Sequence, residues 1–199
     1  MKNNWPTKKL GPKPTFDFLT KNVFDSLDLV NCEHKNIILG SFASAVMEFL
    51  GRCLVDPKSQ QNSKNLKKFI TEYLAKQNEL YKKYVDILVK NFRNGASHSV
   101  LAKPGVYLTF AGHKGNHIDL YKGEKNNPYI LNYSPTFITD LKNAVNSFVT
   151  DARKDEKLMQ AYVKTLAEIE KEGEETMKSL GQEIIDGLIV HKFQRTIKF

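Results

Sequence analysis

Apolar positions fall into two periods along the chain, and the change of period divides it. Phe16, Leu19, Val23, Phe24, Leu27 and Val30 recur at three- and four-residue steps, which places them on one face of a helix predicted over about Phe16 to Asn31. The stretch from Lys35 to Val55 is apolar around most of its circumference, with Ile38, Phe42, Ala45, Val46, Phe49, Leu50 and Cys53. It reads as a central buried helix that Asp56-Pro57 stops. From Ser63, a good N-cap, Leu66, Phe69, Ile70, Tyr73, Leu74, Leu80, Tyr81, Tyr84, Val85, Leu88 and Phe92 continue a helical stripe. A single long third helix reaching Arg93 follows from that spacing.

Beyond His98 the period shortens. Val106 to Phe110, His117 to Tyr121 and Tyr129 to Leu131 are short β-branched and aromatic runs separated by Gly, Asn and Pro, the pattern of a small antiparallel meander. Pro135 opens a short amphipathic helix carrying Phe137, Leu141, Val145, Phe148 and Val149. A last long helix is expected over about Asp155 to Val190, with Leu158, Tyr162, Leu166, Ile169, Met177, Leu180, Ile184 and Leu188 as its stripe. The expected fold is therefore mainly α, a helical bundle with the meander inserted at about 105–131. Three parts are expected: a basic flexible leader at 1–14, a helical domain at 15–152, and the long C-terminal helix at 153–199, packed on the same domain or on a second copy.

Composition narrows the classes. With 199 residues, 41% hydrophobic and 26% charged, the chain is long enough to bury a core without disulfide or metal staples. Two cysteines, Cys32 and Cys53, both among apolar neighbours, form no disulfide framework and suit a reduced, cytoplasmic setting. The first 14 residues hold four Lys and three Pro but no apolar run, so no signal peptide is expected there. The apolar run from Ile37 to Gly51 is short for a bilayer and carries Glu48, so no membrane is expected. A net charge of +8 favours a polyanionic partner. Residues 151–186, with ten Asp and Glu against six Lys and Arg, run at −4 and leave +12 on the rest.

The chemistry-bearing segment is Arg93-Asn-Gly-Ala-Ser-His98. Gly95 breaks the helix, so a tight bend brings a guanidinium, which matches phosphate oxygens, close to an imidazole, which moves protons near neutral pH. Asn94 adds a neutral donor and acceptor that can orient a substrate. The alternative uses are helix capping by Arg93 and a backbone bond in the turn from His98. Glu48, inside an apolar helix, needs a partner; either it orients Arg93 or His98, or it pairs with Arg52 at i,i+4 on a solvent edge. Ser41 and Ser44 share its face.

Arg-Asn-x-x-x-His after a long amphipathic helix, preceded by an apolar helix with a lone acid, resembles the signature of the HEPN superfamily of small helical bundles. The resemblance covers about Phe16 to His98 and departs from the family in the strand-rich insertion that follows. It implies a HEPN-like fold and a metal-independent endoribonuclease needing no cofactor. Arg93, Asn94 and His98 would form the catalytic site, supported by Glu48. It further implies an RNA substrate, a homodimer and an antitoxin or other partner protein. The other reading is a non-catalytic HEPN-like module that binds a partner protein or nucleotide.

Remaining candidates are weaker. His113 and His117 flank Lys-Gly-Asn and would face each other across two strands, with Asp119 as a third ligand if they held a metal, but a cross-strand pair in a turn is the commoner arrangement, and no metal site is expected. His34 and His191 have no partner pattern. Lys64, Lys67 and Lys68 lie on one side of the third helix with Tyr73, Tyr81 and Tyr84 beside them, an RNA-contact surface or a solvated face over core tyrosines. No helix-turn-helix signal points to a DNA-binding regulator.

Overall fold

The computed structural model describes residues 16–31, 36–91, 106–109, 117–122 and 128–196. Among these the chain is mostly helical: α1 (Phe16–Leu29), α2 (Asn36–Val55), α3 (Asn62–Glu72), α4 (Leu80–Lys83), α5 (Val85–Asn91), α6 (Ser134–Lys154) and α7 (Glu156–Thr196), with strands β1 (Val106–Thr109), β2 (Asp119–Lys122) and β3 (Pro128–Tyr133). The leader at 1–14 and Cys32 lie outside the described residues.

α2 is the hub. It packs against α1, α3, α6, α7 and β1, and Leu39, Ala43, Met47 and Leu50 on it are fully enclosed. A helix apolar around its circumference must find neighbours on several sides. By length and composition, Ile38–Val55 is also sufficient to cross a membrane. Shortness is therefore no argument against a span; the observed reason for its apolar surface is the ring of helices around it. Phe69 and Tyr73 stack at 5.6 Å, and Phe148 of α6 meets Tyr73 edge-on at 5.5 Å, joining α3 to α6.

The third predicted helix is not continuous. α3 ends at Glu72, a 3-10 turn occupies Leu74–Lys76, and α4 and α5 follow. Asn78 is the breaker: its Oδ1 accepts the Leu80 amide at 3.0 Å, opening α4 with a side-chain turn in place of a helical bond. Tyr84, with φ −107° and ψ 16°, separates α4 from α5. Tyr73, Leu74, Tyr81, Val85 and Leu88 are buried in all the pieces. The unbroken stripe therefore records continuous burial, not a continuous helix. α3 begins at Asn62 with Gln61 as its N-cap, not Ser63.

The strands lie where expected but do not form an antiparallel meander. Their order is β1-β3-β2, with β1 parallel and β2 antiparallel to β3. β3 takes the middle because it runs directly into α6 and carries Ile130 and Asn132 into the interior. Short apolar runs reveal strands but carry no pairing direction, whereas burial of the longest strand fixes which one is central. Pro135 sits in the first turn of α6, where its missing N–H costs nothing.

α6 and α7 are joined by Asp155 alone. Its amide donates to Asp151 O at 2.9 Å, and its Oδ1 accepts the amides of Lys157 at 2.8 Å and Leu158 at 3.3 Å. One residue thus ends one helix and caps the next. The first part of α7 packs on this same chain through α2 and α6, burying Tyr162 and Thr165.

α2 and α3 cross at Gly51, where a Cβ would stand 1.9 Å from the Asn65 carbonyl oxygen. Only glycine permits that approach. Gly51→Ala is expected to lower stability by about 3 kcal/mol, at the upper end for overpacking, because backbone is the obstacle. Urea unfolding of the two proteins measures it; a loss under 0.5 kcal/mol would contradict the crossing.

Candidate functional site

Arg93, Asn94 and His98 lie outside the described residues; α5 ends at Asn91, two positions before Arg93. Glu48 is described. It is half-buried on α2, and Ser44 Oγ, one turn earlier, donates to its Oε1 at 3.2 Å. Ser41, Ser44, Glu48 and Arg52 form a polar line along an otherwise apolar helix.

Arg52 is not a partner on a solvent edge. It is buried, its Nε donates to Pro57 O at 2.6 Å, and its two terminal nitrogens reach Glu172 on α7 at 3.2 and 2.8 Å. The two-pronged contact suits a planar fork and a carboxylate. It ties the turn after α2 to α7, a long-range pairing that sequence spacing alone does not reveal. Hydrogen bonding to Arg52 holds the Glu172 carboxyl below its ordinary value.

The described polar cluster with most converging groups was not anticipated as a unit. Tyr81 of α4 donates its O–H to Asp140 Oδ2 of α6 at 3.0 Å, and His117 Nε2 lies 2.7 Å from the Tyr81 oxygen and 3.2 Å from Asp140 Oδ2. Tyr81 is fully enclosed, and the side chains of His117 and Asp140 are 7% and 15% exposed. With the phenol proton directed to the carboxylate, the arrangement assigns a proton to Nε2, which donates to the phenol oxygen. Nδ1 has no partner among the described residues. Burial, and then the Asp140 charge and hydrogen bond, push the Tyr81 hydroxyl well above its usual range, so it stays a phenol.

Enclosed in this way, the trio joins α4, the start of β2 and α6. Its chemistry is that of a clamp. Of the three groups considered for a metal, His113 and the Asp119 side chain lie outside what is described, and His117 Nε2 is taken up by Tyr81 and Asp140. A signal for the cluster was present in the sequence: Asp140 falls between Phe137 and Leu141 in an apolar stripe, where a carboxylate demands a partner.

Two other candidates resolve into structure. Tyr73 and Tyr81 are buried and Tyr84 half-buried, while Lys67 and Lys68 pair with Asp86 at 2.7 Å and Glu72 at 3.2 Å. The tyrosines thus belong to the core or its edge, while the lysines of this face are exposed, Lys67 and Lys68 beside acids. Cys53 is buried with its Sγ 3.5 Å from Phe49 O, and burial pushes its thiol up to about 11, the profile of an unreactive core cysteine.

Comparison with protein-family models, curated protein sequences and solved structures finds no match to the chain.

Tyr81→Phe keeps the ring and removes the shared hydroxyl, so it is expected to cost about 1–2 kcal/mol, against under 0.5 kcal/mol for Tyr84→Phe. Parallel denaturant titrations compare them, and equal effects would dismiss the clamp. Because the folded carboxyl of Glu172 titrates below its unfolded value, its pairing stabilises above the ordinary carboxylate range and fades as pH falls through the lowered value. The Tm gap between wild type and Glu172→Gln should be widest near neutral pH and close in acid; a gap that widens in acid would refute this sign.

Proposed function

We propose that the chain is a HEPN-type, metal-independent endoribonuclease. The observation that carries this reading is the hexapeptide Arg93-Asn-Gly-Ala-Ser-His98, which begins two residues after the helical run ending at Asn91. It is supported by the mainly helical character of the described residues and by a central helix, α2, that carries a half-buried acid at Glu48.

The reaction needs only the substrate's own nucleophile. The ribose 2′-oxygen attacks the adjacent phosphorus, its proton passes to a base, and the 5′-oxygen of the next nucleotide leaves with a proton. A cyclic phosphate and a 5′-hydroxyl result, with no net consumption of water. His98 shuttles the protons, Arg93 stabilises the charge on the phosphorane, Asn94 orients the substrate, and Glu48 holds one of them in place. One Arg and one His per chain are sparse for two proton transfers and a developing dianion. A homodimer that joins two motifs in one cleft supplies both, and C₂ pairing is the commonest route to it. An antitoxin-like partner protein would act by covering that cleft.

The decisive experiment is an RNA cleavage assay with three arms. Wild-type protein should cut RNA in the presence of EDTA and leave an oligomer lacking 2′-hydroxyls intact. His98→Ala and Arg93→Ala should each reduce cleavage about 100-fold or more while far-UV circular dichroism stays unchanged. Equal binding of both oligomers without cutting of either would instead favour a non-catalytic module.

A further inference from the structure

α7 belongs to the bundle as far as Glu172. It packs on α2 and α6, its described buried side chains are Tyr162 and Thr165, and Arg52 ties it down at Glu172. Past that tie, residues 173–176, 178 and 179 are all exposed, and a Cβ on Gly173 would meet nothing within 4 Å. Four consecutive helical positions look to every side, so no side of α7 faces the bundle there. The helix still runs on to Thr196, and its outer part, 173–196, is about 36 Å long at 1.5 Å per residue.

That outer part is a weak helix on its own. Gly173, Gly181 and Gly187 each disfavour it, as do the β-branched Ile184, Ile185, Ile189 and Val190. A helix of this kind holds by covering an apolar face. The sequence supplies one: Ile184 at the centre, Leu180 and Leu188 four residues to either side, Met177 and His191 seven. This spacing is symmetric about Ile184, so it matches itself when a second copy runs the opposite way. Charge agrees. Glu174, Glu175, Glu183 and Asp186 lie toward the bundle against Lys178, whereas His191, Lys192 and Arg195 lie at the tip without an acid. A two-fold axis through Ile184 would set Lys192 opposite position 176 and Arg195 opposite position 173, each tip beside the other copy's Glu174 and Glu175. Glu175 already meets Lys171 one turn back at 3.9 Å, an exposed pair that leaves it open to a second cation. Parallel pairing would set acid on acid and tip on tip. A membrane surface fits less well, because an interfacial helix bears cations along its polar face, and here Glu183 and Asp186 stand inside the apolar stretch. A different protein is not needed, since the segment carries both halves of the complementarity.

We infer that the outer part of α7, 173–196, is an interface for a second copy of this chain, the two helices pairing antiparallel about Ile184. Both copies use the same surface, the form of contact that closes a dimer. The pairing does not rest on the ribonuclease reading. It sets the two bundles at opposite ends of the paired helices, so a cleft that joins two Arg93–His98 motifs would be a separate contact.

Sedimentation velocity of the full chain over a concentration series tests the inference. Wild type should associate by about 100 µM, where even a modest pairing shows. Leu180→Glu/Ile184→Glu/Leu188→Glu should raise the dissociation constant roughly 100-fold or more, while the Tm stays near wild type because the three positions lie past the tie at Glu172. Glu174→Lys/Glu175→Lys and Lys192→Glu/Arg195→Glu should each weaken association roughly tenfold by setting like charges together. All four charge changes in one chain restore the complementarity and should bring association back. A parallel pair would leave the three charge variants alike and like wild type, which overturns the proposed arrangement. These variants keep their apolar residues, so they carry the test should the triple fold poorly. A wild type that stays monomeric across the series overturns the inference, as does association that the apolar triple leaves unchanged. So does a monomer that instead sediments with anionic phospholipid vesicles, which would assign the helix to a lipid surface. RNA cleavage is scored separately on the same proteins. Association through α7 without cleavage sinks the ribonuclease reading alone, and cleavage by a chain whose association ignores α7 sinks this interface alone.

Discussion

The arrangement depends first on how closely α2 and α3 can approach. At Gly51 the helix backbone meets the Asn65 carbonyl with no room for a side chain, so this contact sets the separation of the two helices more rigidly than side-chain packing, which can change rotamer, would do. Helix α2 then has a fixed surface to present to α1, α6 and α7. The turn that links α2 to α3 is held in the same grip, since Asn65 Nδ2 also donates to Ser59 O at 3.4 Å and Arg52 reaches Pro57. A glycine without conformational peculiarity thus governs the bundle through what it omits.

Most of the helices were legible in the sequence, because each buries one side and burial leaves a period. The limits of α1 and α2 and the starts of α6 and α7 follow from that period and from Asp56-Pro57, Pro135 and Asp155, whereas α6, expected to be short, runs 21 residues to Lys154 and α7 extends past Val190 to Thr196. The breaks within the third helix were not legible in the same way. Asn78 competes for a single amide, a local event that leaves the apolar stripe intact on either side. Strand order was beyond reach for a related reason: alternation within a strand says which face is buried but nothing about the neighbour. Of the candidate site, Glu48 was identifiable as an acid that needed a partner, and Ser44 is one that it has. Arg93, Asn94 and His98 rest on their spacing in the sequence.

The charged residues divide by whether their partners are near in sequence or far. Lys68 with Glu72 and Lys171 with Glu175 are exposed neighbours on one helix turn, and pairs of this kind contribute little. Arg52 with Glu172 joins residues 120 positions apart, and His117 with Asp140 and Tyr81 joins three separate elements. These long-range contacts are the ones that hold the turn after α2 against α7 and the start of β2 against the bundle. Helical periodicity could not have found them, since it describes only the helix on which it is measured.

Ile118 gives the clamp at His117 a second meaning. It is fully buried at the start of β2 with φ at 60°, a left-handed conformation that costs a β-branched residue about 1–2 kcal/mol. The net worth of a typical intramolecular hydrogen bond is about 1 kcal/mol. The strain at one residue and the bonds made by the residue before it are thus of similar size and opposite sign. The start of β2 is a strained joint, whose geometry is held by its neighbours rather than by its own preference.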